Sequence, residues 1–147
     1  MNNYLNLDFP SLPQNVGLAR LVVATFASQL EFTLAEIEEI RVATSEAVSN
    51  CVIHAYPDSP GIIKLALENQ EGALVIQVTD FGKGIANIEQ AKQATFSTEP
   101  ERMGLGLVFM ESFMDEMDLK SRPGEGTTIV MKKRPERGLA DAGFSGN

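Results

Sequence analysis

The sequence predicts an α+β fold, a two-layer sandwich with helices packed on one face of a mixed, largely antiparallel sheet. Three observations predict it. Two stretches in the first third carry apolar residues at helical spacing. Two pairs of strand-like runs are each joined by a short turn. Helices and hairpins are interleaved along the chain. At 147 residues, 44% hydrophobic and 22% charged, the chain suits one well-filled core and is short for two.

Tyr4 to Phe9 alternates apolar and polar residues and reads as a short strand ended by Pro10 and Pro13. From Gln14 to Leu30, the residues Val16, Ala19, Val23, Phe26 and Leu30 form one apolar stripe and predict a helix. Thr33-Leu-Ala-Glu36 is a capping-box pattern opening a second helix, which runs through Ile40, Thr44, Ala47 and Cys51 toward Tyr56 and stops at Pro57. Gly61–Asn69 and Ala73–Asp80 read as a hairpin, and a short helix is expected around Ile88 to Gln93. Thr95 to Met103 is polar, contains Pro100 and is expected to be a loop or lid. Leu105 to Glu116 predicts a helix, and Asp118–Arg122 with Thr127–Lys133 a second hairpin about Pro123-Gly-Glu-Gly126. One domain is expected over residues 1–133, with a disordered tail at 134–147.

A formal charge of −8 speaks against nonspecific nucleic-acid binding, which needs a basic face. Cys51 has no second cysteine to pair with, which fits a reducing compartment. The start Met1-Asn2-Asn3-Tyr4 lacks the pattern of a signal peptide, and no apolar run approaches the roughly 20 residues of a membrane span. The expectation is a soluble cytoplasmic domain. With one His and one Cys, neither a Ser-His-Asp triad nor a Cys/His metal cluster is expected. No G-x-x-x-x-G-K-[ST] string is present either, which argues against a P-loop.

Four strings carry chemistry. Glu46 and Asn50 lie four apart on the second helix and share one face, with His54 a turn further on. A solvated helix face accounts for that stripe; so does Mg²⁺ chemistry, with the Asn50 amide oxygen as ligand and Glu46 as proton acceptor. Asp80-Phe-Gly-Lys-Gly84 follows a strand. It is either a tight turn or a carboxylate placed to accept a hydrogen bond from an exocyclic amine, with glycines that admit a planar ligand. Gly104-Leu-Gly106 before a helix is either a flexible helix start or a phosphate cradle. In Gly126-Thr-Thr128, Thr128 either turns its methyl to the core or offers its hydroxyl to a base.

In this order the strings resemble the Bergerat, or GHKL, ATP-binding fold shared by DNA gyrase, a major heat-shock chaperone, histidine kinases and MutL. From about Asn6 to Lys133 the chain is similar to the small anti-sigma factors that are also serine kinases. Ser45-Glu-Ala-Val-Ser-Asn50, His54-Ala-Tyr56 and Met110-Glu-Ser-Phe-Met-Asp-Glu116 are most like the sigma F branch found in sporulating bacteria, while Ala55 is shared with relatives of the general-stress sigma B branch. The segment from Pro100 to Gly104 is shorter than that family's lid.

The resemblance implies ATP and Mg²⁺ as cofactors, Glu46 as general base and Asn50 as metal ligand. It implies ATP contacts from Asn50, His54, Asp80, Gly82, Gly84, Ile85, Gly104, Leu105, Gly106 and Leu107. Asp80 would take the adenine amino group with Thr127 or Thr128, and Ser97, Thr98 and Arg102 would close over the phosphates from the lid. Arg20 would meet both a sigma factor (sigma F) and an anti-anti-sigma protein, the latter phosphorylated on serine by a homodimer that contacts neither nucleic acid nor membrane. A histidine-kinase catalytic domain, an anti-sigma B-type kinase of the general stress response and a nonenzymatic ATP-binding interaction module are the competing readings. Against the first, the one histidine, His54, lies inside the expected nucleotide helix.

Overall fold

A computed structural model describes residues 1–85 and 99–136, with the backbone alone for 99–103. The helix expected at Ile88–Gln93, together with Ser97 and Thr98, lies outside the described residues, as does 137–147 of the expected tail.

Five strands form one open sheet: β1 (Tyr4–Pro10), β2 (Ile62–Gln70), β3 (Ala73–Asp80), β4 (Glu116–Arg122) and β5 (Gly126–Lys133). Their order across the sheet is β1-β2-β3-β5-β4, and all four pairings are antiparallel. Alternation explains the two faces. Ile63, Leu65 and Leu67 of β2, Leu74, Ile76 and Val78 of β3, and Ile129 and Met131 of β5 are buried on the inner face. Three α-helices cover that face: α1 (Gln14–Ala27), α2 (Leu34–Asn50) and α3 (Glu99–Phe113). α2 packs between the other two, with Ile40, Ala43, Ala47 and Val48 fully buried. Burying each large aliphatic side chain contributes about 1.5–3 kcal/mol, so this shared core is what holds the two layers together.

The capping box at α2 forms as its pattern predicts. The Thr33 hydroxyl accepts the Glu36 N–H at 3.2 Å, and Glu36 Oε1 accepts the Thr33 N–H at 2.8 Å. The other Glu36 oxygen accepts the N–H of Glu136 at 2.9 Å, so the same carboxylate fastens the chain beyond β5 to the start of α2. Past Asn50 the helix widens into a π turn, Cys51–Ala55, before Pro57.

Three boundaries differ from expectation. α1 stops at Ala27 rather than Leu30. β4 begins at Glu116, so the helix before it ends at Phe113. α3 begins at Glu99, so the part of the expected loop from Glu99 to Met103 is helical, and Gly104 and Gly106 lie inside a helix rather than ahead of one. Pro100 permits this because the first turn of a helix has no intrahelical use for the N–H that proline lacks. No helix among the described residues is long and apolar enough to cross a membrane.

Candidate nucleotide site

The site begins at the end of β3, the central strand. Register places Asp80 opposite Thr127 of β5, and Thr79 opposite Thr128. Successive residues face opposite sides of a sheet, so Asp80 and Thr127 share the helix-covered face while Thr128 faces the other way. Asp80 is only 4% exposed. Its Oδ1 accepts the N–H groups of Gly82 at 3.0 Å and Thr127 at 3.2 Å, and its Oδ2 lies 3.4 Å from the Cys51 thiol, which donates. Burial pushes the Asp80 carboxyl above its ordinary pKa, while the two N–H groups and the thiol offset part of that rise. Burial, with the Asp80 charge beside it, also pushes the Cys51 thiol well up, so that it stays a donor.

The segment after Asp80 is laced down from two sides. The Phe81 N–H donates to the Tyr56 hydroxyl at 2.6 Å, which in turn donates to the Ile62 carbonyl at 2.8 Å. The Lys83 N–H donates to the Ala55 carbonyl at 3.2 Å, so the π turn holds one flank. The β4–β5 hairpin holds the other. There the Gly124 N–H donates to the Lys83 carbonyl at 2.7 Å, and the Ile85 N–H donates to Ser121 Oγ at 2.7 Å. Gly84 has φ +74° and its Cα faces the Arg122 carbonyl, which a Cβ would strike. Gly82 likewise abuts the Ala55 carbonyl. Both glycines therefore serve close backbone approach, which packs the loop against its neighbours.

Asn50, Cys51, His54, Asp80 and Thr127 provide the polar lining of a cavity of about 20 Å³ beneath this loop. Val78, Leu107 and Ile129 provide an apolar wall, and Gly84 and Ile85 complete the rim. That volume holds about one water and is smaller than a purine.

Glu46 stands one turn before Asn50 on α2, half-buried. A Cβ on Gly106 would come 2.7 Å from Glu46 Oε2, so the glycine lets α3 approach the carboxylate closely. Thus the structure draws Asn50, His54, Asp80, Gly84, Ile85, Leu107 and Thr127 around one cavity, with Gly82 in its loop and the Glu46–Gly106 contact beside it. Leu105 is 45% exposed on α3, and Gly104 is buried in the same helix. Only the backbone of Arg102 is described, within α3. Arg20 is exposed on α1, its Nη1 3.5 Å from the Ser45 hydroxyl. Cys51, Tyr56 and Ser121 join the site without having been singled out in the sequence. Tyr56 and Ser121 meet their partners across 25 and 36 residues, and nothing local in the sequence signals either contact.

Residues 9–133 match the model of the histidine kinase-like ATPase domain. The anti-sigma F factor of Caldanaerobacter subterraneus subsp. tengcongensis is 47% identical over 134 residues, covering 90% of this chain and 94% of that protein. The anti-sigma F factor of a Thermoanaerobacter species is also 47% identical, over 89% of this chain and 93% of its own length. The chain belongs to the anti-sigma F factors, a family built on the histidine kinase-like ATPase domain. As a member, it is an anti-sigma factor whose ATP-binding domain is kinase-like. In fold it is similar to the crystal structure of the RsbU and RsbW domains of Rv1364c from Mycobacterium tuberculosis, with a TM-score of 0.66 and 21% identity over 90% of this chain and 32% of that one.

Proposed function

We propose that this anti-sigma factor sequesters a sigma factor of the sigma F type and is a protein-serine kinase. In this reading it transfers the γ-phosphoryl group of Mg·ATP to a serine of an anti-anti-sigma protein, works as a homodimer in the cytoplasm, and offers Arg20 to both partners. The observation that carries the nucleotide half of this reading is Asp80. It is a buried carboxylate held by two N–H groups and a thiol at the edge of a cavity that Asn50 also lines. Such an acceptor suits the amine of adenine.

Among the described residues no three His, Cys, Asp or Glu side chains cluster closely enough to hold a metal by themselves. The Asn50 amide oxygen fits Mg²⁺, an ion that takes few protein ligands when nucleotide phosphates and water complete its shell. Bound there, Mg²⁺ would supply positive charge to the phosphate oxygens. The chain's own residues do the rest. Asp80 and Thr127 orient the base, and Gly104 and Gly106, having no side chains, let the triphosphate lie along α3, with Ser97, Thr98 and Arg102 proposed as further contacts. Glu46 takes the proton of the seryl hydroxyl as its oxygen bonds to the γ-phosphorus and the bond to the β,γ-bridging oxygen breaks.

The test is Glu46→Gln with labelled ATP and a candidate anti-anti-sigma protein. ATP binding is expected to persist and label on the partner's serine to fall at least about 100-fold. Full transfer by Glu46→Gln would remove Glu46 as the base, and label on a histidine would remove the serine-kinase reading.

A further inference from the structure

Lys133 ends β5 and follows Ile129 and Met131 on the helix-covered face, where its side chain is only 8% exposed. A buried ammonium needs partners, and this one finds them on two helices. Its Nζ donates to the carbonyl of Phe113, the last residue of α3, at 2.6 Å, and lies 3.5 Å from Glu39 Oε1 of α2. Its charge also reaches Glu36, one turn before Glu39. A cation suits a helix C-terminus, where the carbonyls lack intrahelical partners.

Glu39 and Glu46 stand two turns apart on α2, and Gly106 and Phe113 two turns apart on α3. The antiparallel helices therefore meet at two equally spaced rungs. At one, Glu46 faces Gly106; at the other, Glu39 and Phe113 are joined through Lys133. At the first rung the glycine offers no side chain to interlock with α2. The second is a charged hydrogen bond, which resists a slide of one helix along the other.

We propose that Lys133 is a positioning residue for phosphoryl transfer: by tying the C-terminus of α3 to α2 it fixes the axial register of the two helices, and so the approach of Glu46 to the α3 glycines. It acts from the far rung, roughly 10 Å along the helices from Glu46, without touching the reacting groups. The inference rests on the reading of Glu46 as the base.

Steady-state phosphorylation of an anti-anti-sigma protein that the wild type phosphorylates, with calorimetry of Mg·ATP, tests it on the full chain. Lys133→Met keeps the aliphatic stem and removes the ammonium. Its kcat is expected to fall at least about tenfold while Kd and KM for ATP stay within about twofold. A wild-type kcat in Lys133→Met, or a loss shared equally with ATP affinity, overturns the proposal. Glu39→Ala, which leaves Lys133 its carbonyl partner, lowers kcat in the same sense. A wild-type kcat there overturns the proposal even where Lys133→Met does not fold. In Gly106→Ala, where Glu46 is already displaced, adding Lys133→Met costs less than it does alone; full additivity overturns the coupling. Glu46→Gln separates the two readings. Transfer lost in Glu46→Gln with a wild-type kcat in Lys133→Met sinks the role of Lys133 and leaves the base standing. Full transfer by Glu46→Gln sinks both together.

Discussion

Asp80 shows how one side chain is tuned by its surroundings. Burial raises its pKa, while the N–H groups of Gly82 and Thr127 and the Cys51 thiol favour the ionised form. The sign of the pH effect follows. An amine donor needs the carboxylate, and protonation removes that acceptor, so ATP affinity should fall as pH drops through a pKa lying above the ordinary 3.8. Calorimetry from about pH 7 down to about pH 4 is expected to show this limb, and Asp80→Asn is expected to flatten it. Affinity that is flat across the range in the wild type would mean that Asp80 does not read the amine. The pattern Asp80-x-Gly-x-Gly84 was legible as an acceptor or a turn, and the structure shows a buried acceptor within a tightly packed turn. Cys51 as its partner was not legible, because a lone cysteine on a helix says nothing of a strand end 29 residues away.

At the scale of the element, α3 departs furthest from the sequence reading. Glycine at alternate positions suggests a loop before a helix, yet Gly104 and Gly106 lie within the helix that starts at Glu99. Gly106 costs α3 about 1 kcal/mol relative to alanine, and the mere 2.7 Å that an added Cβ would leave to Glu46 Oε2 supplies a reason to keep it. Gly106→Ala should therefore push the Glu46 carboxylate aside while favouring the helix. Its melting temperature is expected to stay level or rise while serine phosphorylation drops at least about tenfold. Unaltered phosphorylation would show that the close approach serves packing alone. The π turn at Cys51–Ala55 belongs to the same scale. Its Ala55 carbonyl holds Lys83, and Cys51 and His54 line the cavity, although sequence periodicity reads the segment simply as more α-helix.

Across the whole molecule, Glu36 joins parts of the chain 100 residues apart. Burial pushes its carboxyl up, but the N–H of Glu136, the contacts of Thr33 and the charge of Lys133 outweigh that and hold it below its ordinary 4.5. A carboxyl whose pKa is lowered by folding adds stability that is present above its unfolded pKa and is lost as pH falls through the folded one. Urea midpoints should accordingly decline below about pH 4.5 in the wild type and decline less in Glu36→Gln, which starts about 1 kcal/mol less stable at neutral pH. Parallel declines in the two proteins would assign the acid limb to other carboxylates.

Sequence alone determined the class of fold, the capping box at Thr33, both hairpins and the order of the four strings, because periodicity, caps and turns are local and leave local marks. It also marked Glu46, Asn50 and Asp80 for nucleotide chemistry. Tertiary structure decided the remainder. The register of β3 on β5 chose Thr127 over Thr128 as the neighbour of Asp80. Packing of α3 against α2 set Gly106 against Glu46. Ser121 reached Ile85 and Thr127 only because β4 pairs with β5 at the sheet's edge. Each of these depends on a single-residue register or a contact distant in sequence. A one-residue shift of a strand reverses which side chain faces the cavity, and no local pattern specifies that shift.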